Sequence, residues 1–348
     1  MGKISVNDHD GKKWDEFVLK DPDSCFFHLA GWRRSLERAF GLKAFYLTEK
    51  NDEGEIRGVL PLFLKKSFLE ENSLRSVPIG PYGGILADSI DIKKRLLEKG
   101  IELTKELGCD YLELRHTKTT KLEIPELPLG NKGMYFTFIK ELPGNKEDCL
   151  ADMPRKARQA TNKSIRMGLS YEEGIGLLDE CYDIFAISQK HLGSPVMSRK
   201  WFRCLAEEFR DSIKISSVKL EGKTLCSLLS FSFRDTVLPF YQGDITSYTK
   251  YNPNNFLYLR FREESVEKGY KYFDFGRSRK DTGSYFFKIN QGFRPEQLYY
   301  QYYLNKAKEV PNISPANTAF DIARNIWRHM PLSMTKLLGP TLFEQVMP

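Results

Sequence analysis

The sequence predicts an α/β protein with mixed (α+β) sheets, built from two similar domains by internal duplication. Three observations predict it. The chain has 348 residues, more than one hydrophobic core usually organises. The same order of elements is legible twice along it. Anchors in the two halves also align at a nearly constant offset: Trp32 with Trp201, Gly54 with Gly222, Gly108 with Gly269 and Arg115 with Arg277, between 161 and 169 positions apart. That spacing is the length of a domain, not of a solenoid repeat.

The first half begins with "FHLAGWRRSLERAFG", helical by its apolar spacing. "AFYLTEK" and "RGVLPLFL" follow as strands on either side of the turn "NDEGEI". After "SVPIGPYGGIL" come the amphipathic helix "DIKKRLLEKGIELTKELG" and the strand "CDYLELR". The second half repeats the order with the helix "RKWFRCLAEEF", the extended "KISSVKL", the turn "EGKT" and the strand "LCSLLSFSF". "VLPFYQGDI", the helix "NFLYLRFREESVEKG" and the strand "YKYFDFGR" complete it. A helix of about 15 residues between strands predicts a crossover and locally parallel pairing, whereas the EG turns predict antiparallel hairpins. Each sheet is therefore expected to be mixed.

The expected divisions are a first domain over 1–145, a second over 146–309 and an amphipathic tail over 310–348. "LPGNKED" is a linker by composition. The helix after it is expected to use Asp152 as its cap, to hold Pro154 in its first turn and to end before Gly168. "VPNISPAN" is loop, and the tail that follows reads as short helices broken by Pro331 and Pro340.

Composition narrows the class. Hydrophobic content of 41% with 13% aromatic is globular and not disordered. No apolar run approaches the roughly 20 residues of a membrane span, and the N-terminus lacks the apolar core of a signal peptide. "MGKISV" matches a myristoylation signal only loosely. The six cysteines are scattered without a CxxC pair and the five histidines form no HExxH, so no metal site is expected. Buried thiols in a reducing compartment fit that pattern, and the expected location is the cytoplasm. The net charge of +7 suits anionic partners.

Three stretches carry residues suited to chemistry. From Met153 to Tyr171 the chain holds Arg155, Lys156, Arg158, Lys163 and Arg166 and no acid. Helical spacing puts Arg155, Arg158, Asn162 and Arg166 on one face, as a phosphate site requires or as a solvated basic face would show. In "KYFDFGRSRKDTGSYFFKINQGF", Arg277 ends a strand, where open α/β sheets place ligand crevices, and Gly276 and Gly283 admit close backbone approach. Lys288 follows the aromatic run from Tyr285, an apolar setting that lowers a lysine's pKa. In "LPFYQGDITSYTKYNPNNF", Tyr241, Gln242 and Asp244 end a strand just before a helix that opens at Asn254 and Asn255. "SVPIGPYGG" and "HLGSPV" serve as turns or as substrate loops, and His28 as a satisfied histidine or a base.

These residues carry a resemblance. "EKGYKYFDFGRS" with "TGSYFFKINQGFRPE" resembles the C-terminal signature of the FemAB (FemABX-like) family of the GNAT acyltransferase superfamily, and "MPRKARQATNKSIRMGL" is similar to its basic helix. With "VPIGPYGGILAD", "HLGSPVMSRKWF", "LPFYQGD" and "MPLSMTKLLGP", nearly the whole chain resembles the branch of FemAB-related, PEP-CTERM system-associated proteins. The resemblance implies two tandem GNAT-like domains, with Arg158 matching an arginine that holds precursor phosphates and Lys288 a lysine near the reacting carbonyl. It implies no bound cofactor but a donor co-substrate, aminoacyl-tRNA or acyl-CoA. Two departures bear on the donor. The chain lacks the coiled-coil arm some relatives insert, and it lacks the Q/R-x-x-G-x-G/A loop that grips a CoA pyrophosphate.

The expected function is acyl or aminoacyl transfer to an amine on a nucleotide- or lipid-linked precursor of the cell envelope or of an exopolysaccharide. Lys288 would stabilise the oxyanion, Asp244 or Asp274 would accept the proton, and Arg155, Arg158, Arg277, Tyr241, Gln242 and Tyr285 would bind substrate. The alternative is a non-catalytic scaffold that holds such a precursor. Expected partners are the anionic precursor and, for one donor, tRNA, with no DNA. The tail's Phe320, Ile326, Trp327, Met330 and Leu332, with Arg324, Arg328 and Lys336, either dock on the protein's own core or rest on an anionic bilayer at the inner face of the membrane.

Overall fold

The computed structural model describes residues 3–7, 10–116, 129–311 and 318–347. Gly2 of "MGKISV", the loop at 312–317 and the side chain of Phe320 lie outside them. Contacts divide the chain into a first unit, Met1–Tyr135 with Gln297–Ile313 and Glu344–Pro348, and a second, Phe136–Glu296 with Ser314–Phe343.

The first half of the chain forms β1 (Lys3–Val6), α1 (Gly11–Lys20), α2 (Ala30–Phe40), β2 (Lys43–Lys50), β3 (Ile56–Lys65), β4 (Ser73–Arg75), β5 (Leu86–Ala87), α3 (Ile90–Glu106), β6 (Tyr111–His116) and β7 (Gly130–Lys132). Side chains set the helix starts: Asp10 accepts from the Lys12 N–H at α1, and Ser89 from the Ile92 N–H at α3. The apolar face of α3, through Leu96, Leu97 and Ile101, packs on Leu60, Leu62 and Leu112 of the sheet.

The second half forms β8 (Tyr135–Thr137), β9 (Ile139–Glu141), α4 (Asp148–Ala151), α5 (Arg155–Ile165), β10 (Ser170–Glu173), α6 (Leu178–Leu192), α7 (Arg199–Glu208), β11 (Ile213–Leu220), β12 (Lys223–Phe233), β13 (Thr236–Asp244), α8 (Pro253–Glu267), β14 (Tyr272–Asp274), β15 (Ser278–Arg279), α9 (Gly283–Asn290) and β16 (Glu296–Gln297). After them come β17 (Tyr299–Leu304), α10 (Thr318–His329) and α11 (Leu332–Gln345).

The sheets are mixed, as the helix lengths and turns predict. The first runs β1-β2-β3-β4-β6-β17-β7, with β5 beside β3, and its parallel pair is β4–β6. The second runs β10-β11-β12-β13-β14-β9, with the parallel pair β13–β14. β15, β8 and β16 form a small third sheet. The repeat anchors occupy equivalent places. Trp32 and Trp201 are fully buried on α2 and α7. Gly54 (φ 81°) and Gly222 (φ 75°) turn the hairpins, and Gly108 (φ 64°) and Gly269 (φ 81°) end α3 and α8, all in the left-handed region that favours glycine.

The structure departs from the expected boundaries at 145 and 309. β17 pairs with β6 of the first unit, Tyr299 opposite His116 through Leu304 opposite Tyr111. β9 pairs with β14 of the second unit, Phe273 opposite Lys140. In each sheet the outer edge of the parallel pair is covered by a segment distant in sequence, which satisfies its backbone groups. Asp152 does not cap α5 but stands at the C-terminal end of α4. Pro154 holds the cap position of α5, while the Asp152 carboxylate takes Lys140 at 2.6 Å and the buried Arg262. Pro340 does not break the tail but lies inside α11, whose Gly339 and Phe343 pack closely enough to keep the helix continuous.

Helix α6 crosses β13 at Gly243, where an added Cβ would stand 2.6 Å from the Phe185 Cα. Backbone cannot yield as a flexible side chain can. Gly243→Ala is expected to lower stability by about 1–3 kcal/mol, read as an earlier urea midpoint with an unchanged slope.

Candidate functional site

The site of the second unit begins with two parallel strands that part. β13 pairs with β14 only at Thr236–Tyr272 and Val237–Phe273, then continues to Asp244, while β14 ends at Asp274 with β9 along its other edge. A bulge in β13 opposite Leu229 and Ser230 adds twist to the divergence. The carboxyl ends of the two strands therefore lie unpaired with each other, at the place where α/β sheets hold ligands.

The stretch from Asp274 to Lys288 frames one wall. Asp274 is buried, and its Oδ1 accepts from the Gly276 N–H at 2.8 Å and from the Thr137 hydroxyl at 3.4 Å. Gly276 takes φ 65°, turning the chain into Arg277, which is half-buried. The Thr282 side chain then caps α9 by accepting from the Tyr285 N–H at 3.4 Å. Helix α9 delivers Lys288 back to the loop. Its Nζ donates to the carbonyls of Gly276 at 2.9 Å and Arg277 at 3.2 Å, and lies 5.2 Å from the Phe138 ring and 5.5 Å from that of Phe275. Burial pulls its pKa down to about 7, against the opposing pull of Asp274 and with a further push from Arg277. The aromatic setting inferred from "YFF" is present, but Phe138 and Phe275 supply the rings nearest the amine.

A second cluster forms at the start of α8. Gln242 donates to Asn254 at 2.8 Å, Asn254 donates to Asp244 Oδ2 at 3.2 Å, and Ser188 donates to Asp244 Oδ1 at 3.3 Å. Two residues expected to bind substrate lie elsewhere. Tyr241 alternates to the opposite face of β13, where Trp201 donates to its hydroxyl at 2.8 Å and Phe202 stacks on its ring. Tyr285 is buried edge-on to Phe136 and Phe138. Both are packing residues of the core.

The basic helix α5 turns Ala157, Thr161 and Ser164 inward and leaves Arg155 exposed. Arg158 is half-exposed and donates to the Ala151 carbonyl at 3.1 Å. The turn after α9 abuts the start of α5, since a Cβ on Gly292 would lie 3.0 Å from Pro154. The structure thus brings the helix of Lys288 beside that of Arg155 and Arg158. Thr137, Phe138, Ser188 and the Lys140–Asp152–Arg262 lock are not legible in the sequence, because their partners are distant in the chain.

The first unit closes the corresponding place. Arg115, the counterpart of Arg277, is buried, bonded to Glu113 at 2.6 Å and to the Gly80 carbonyl at 2.7 Å. Ser76 accepts from the Arg115 N–H, and the Gly83 N–H donates to the Arg115 carbonyl. "SVPIGPYGG" is therefore a plug over the end of β6. His28 is satisfied and buried, between the Cys25 N–H and the Gly84 carbonyl, with its pKa lowered to about 4 by burial. "HLGSPV" is a corner, turned by Gly193 at φ 77°. A cleft of about 780 Å³ in this unit, bounded by Lys13, Asp21, Glu55, Arg57 and Asp88 among others, contains none of the candidate residues.

Residues 150–288 match the family described as Acetyltransferase (GNAT) domain. The fold of the whole chain is similar to that of FemX, at 14% identity over 87% of this chain and 98% of that one, with a TM-score of 0.71. It is similar to the C-terminal domain of a lysylphosphatidylglycerol synthetase from Agrobacterium fabrum, at 10% identity over 96% and 95% with a TM-score of 0.57. It is also similar to a tandem GNAT protein from the clavulanic acid biosynthesis pathway, at 11% identity over 89% and 100% with a TM-score of 0.56. No curated protein matches the sequence.

The depressed pKa of Lys288 has a stability consequence. Between about pH 7 and pH 10 the unfolded chain binds this proton and the folded chain does not, so the lysine's contribution rises with pH across that window. The stability of the native chain minus that of Lys288→Met is expected to increase by up to about 1.4 kcal/mol per pH unit there. Urea unfolding of both chains near pH 6 and near pH 9 checks it.

Proposed function

We propose that the chain is a FemAB-like member of the GNAT superfamily and that it transfers an aminoacyl or acyl group to an amine on an anionic precursor. The acceptor is nucleotide- or lipid-linked and belongs to the cell envelope or an exopolysaccharide, and the reaction takes place in the cytoplasm. The observation that carries this reading is the parting of β13 and β14, with the buried Lys288 held against the loop that follows β14.

The acceptor amine must lose a proton as it attacks the acyl carbon, and the leaving hydroxyl or thiol must gain one. Asp244 is less buried than Asp274, whose Oδ1 is committed to holding the loop turn, so Asp244 is the better proton acceptor of the two. A protonated Lys288 has three N–H donors. Two engage the Gly276 and Arg277 carbonyls, leaving one for the tetrahedral oxyanion. Arg158 and Arg155, with Arg277, would hold phosphates through charge-assisted bonds.

The site also bears on the donor. Asp244 is tied through Asn254 to the first turn of α8, which puts negative charge where a helix N-terminus would otherwise favour a phosphate. That placement supports an aminoacyl ester over a donor whose pyrophosphate needs this helix end.

Titration with labelled aminoacyl-tRNA and acyl-CoA in parallel, at several salt concentrations, tests the assignment. Binding of tRNA that depends on its aminoacyl group is expected. Competable acyl-CoA binding would replace the donor, and precursor binding without turnover under either donor would make the protein a scaffold. With the active donor, Lys288→Ala is expected to lower kcat by about a hundredfold or more while sparing precursor binding. Arg158→Ala should mainly raise KM. Steady-state kinetics of the two variants decide, and unchanged turnover in Lys288→Ala would sink the role given to the lysine.

A further inference from the structure

A buried serine hydroxyl must find a partner or cost the fold free energy. In the second unit Ser164 donates to the Thr161 carbonyl at 2.7 Å and Ser230 to the Lys214 carbonyl at 3.3 Å. Ser227 bonds Ser217 at 2.9 Å and the Ser216 carbonyl at 3.0 Å. Ser278 is different. It is 5% exposed, and among the described residues its hydroxyl has no hydrogen-bond partner. Ser24 and Ser35, the other serines in that condition, belong to the first unit. Alanine has nearly the same size as serine and would avoid the cost, so packing does not account for the hydroxyl.

Its place in the fold suggests what does. Ser278 opens β15, the short strand beside β8. β8 ends at Thr137, which donates to Asp274, and the next residue, Phe138, sets its ring 5.2 Å from the Lys288 amine. The backbone ties the serine to that amine more directly. Lys288 Nζ donates to the Arg277 carbonyl at 3.2 Å, and that carbonyl shares a rigid peptide unit with the Cα of Ser278. Covalent geometry alone therefore keeps the hydroxyl within about 8 Å of Nζ.

We infer that Ser278 is a catalytic residue, the second hydrogen-bond donor to the tetrahedral oxyanion, beside the N–H that Lys288 keeps in reserve. The inference rests on the transfer reaction proposed above. As the acceptor nitrogen bonds to the acyl carbon, the carbonyl oxygen takes up the electron pair of its π bond. It returns the pair when the bond from that carbon to the leaving oxygen or sulfur breaks. The hydroxyl donates a hydrogen bond throughout and gives up no proton. A donor that is unbonded in the resting protein and satisfied only as charge develops favours the transition state over the ground state. Ser278 meets that condition, since folding has already stripped its hydroxyl of water. Lys288 alone, with two of its donors committed to carbonyls, would meet the oxyanion with one bond.

Two measurements on the full chain test it. Urea unfolding needs no substrate. Ser278→Ala should unfold at the native midpoint or above it, whereas Ser227→Ala, which removes a bonded hydroxyl, should unfold earlier. A midpoint for Ser278→Ala as low as that of Ser227→Ala would overturn the inference, because the hydroxyl would then be bonded at rest. Steady-state kinetics read the chemistry, with tRNAs charged with labelled amino acids or acetyl-CoA as donor and phosphoethanolamine as an anionic primary amine. Ser278→Ala should lower kcat at least about tenfold with KM nearly unchanged, and Ser278→Thr, which keeps the hydroxyl, should recover most of the loss. The double variant Lys288→Ala with Ser278→Ala should lose less than the product of the single losses, because both donors serve one oxygen. A native kcat in Ser278→Ala beside a depressed one in Lys288→Ala would overturn this inference and leave the reaction standing. No transfer by the native chain from either donor would remove both.

Discussion

Much of this structure follows from a shortage of hydrogen-bond partners where two parallel strands separate. A backbone N–H or C=O buried without a partner costs about 1–3 kcal/mol, so a sheet cannot simply open. In the second unit, β14 has β9 along its whole length on one edge and β13 for only two residue pairs on the other. The carbonyls just past its end are met by Lys288. In the first unit the same need is met from within, by the Ser76–Gly84 segment and the Arg115 guanidinium. The same arrangement is closed by its own segment and guanidinium in the first unit and by a lysine from α9 in the second.

That contrast explains why a single lysine combines structural and chemical roles. An amine fully occupied by carbonyls would only brace the loop. An amine in water would keep its ordinary pKa. Lys288 is buried deeply enough to titrate near neutrality, yet the two carbonyls leave its ammonium form one donor in reserve. The Asp274 carboxylate keeps Gly276 turned so that both carbonyls face the amine. The loop and the lysine are one device, and neither has the same geometry without the other.

How much of this was legible depends on sequence distance. The repeated helices and strands were readable because their periodicities are local, and so were the paired glycines, whose left-handed turns few other residues tolerate. The basic helix and the loop of Lys288 stood out by residue type alone. Tyr241 was misplaced because alternation along a strand assigns faces only once one face is known. Asp152 looked like a cap by its position, but its partners, Lys140 and Arg262, are side chains that local reading cannot supply. β9 and β17 escaped for the same reason, since short strands declare themselves only through the edge they fill.

The return of β17 to the first sheet bears on how the protein is made. Tyr111 of β6 waits for Leu304, and Arg75 of the same unit donates to the carbonyl of Met347. A ribosome releasing this chain from its N-terminus would therefore finish the second unit's strands before the first unit's sheet could close. The earlier-synthesised half must remain incomplete, with the edge of β6 uncovered, through most of translation. Its closure reports that β17 and Met347 have emerged.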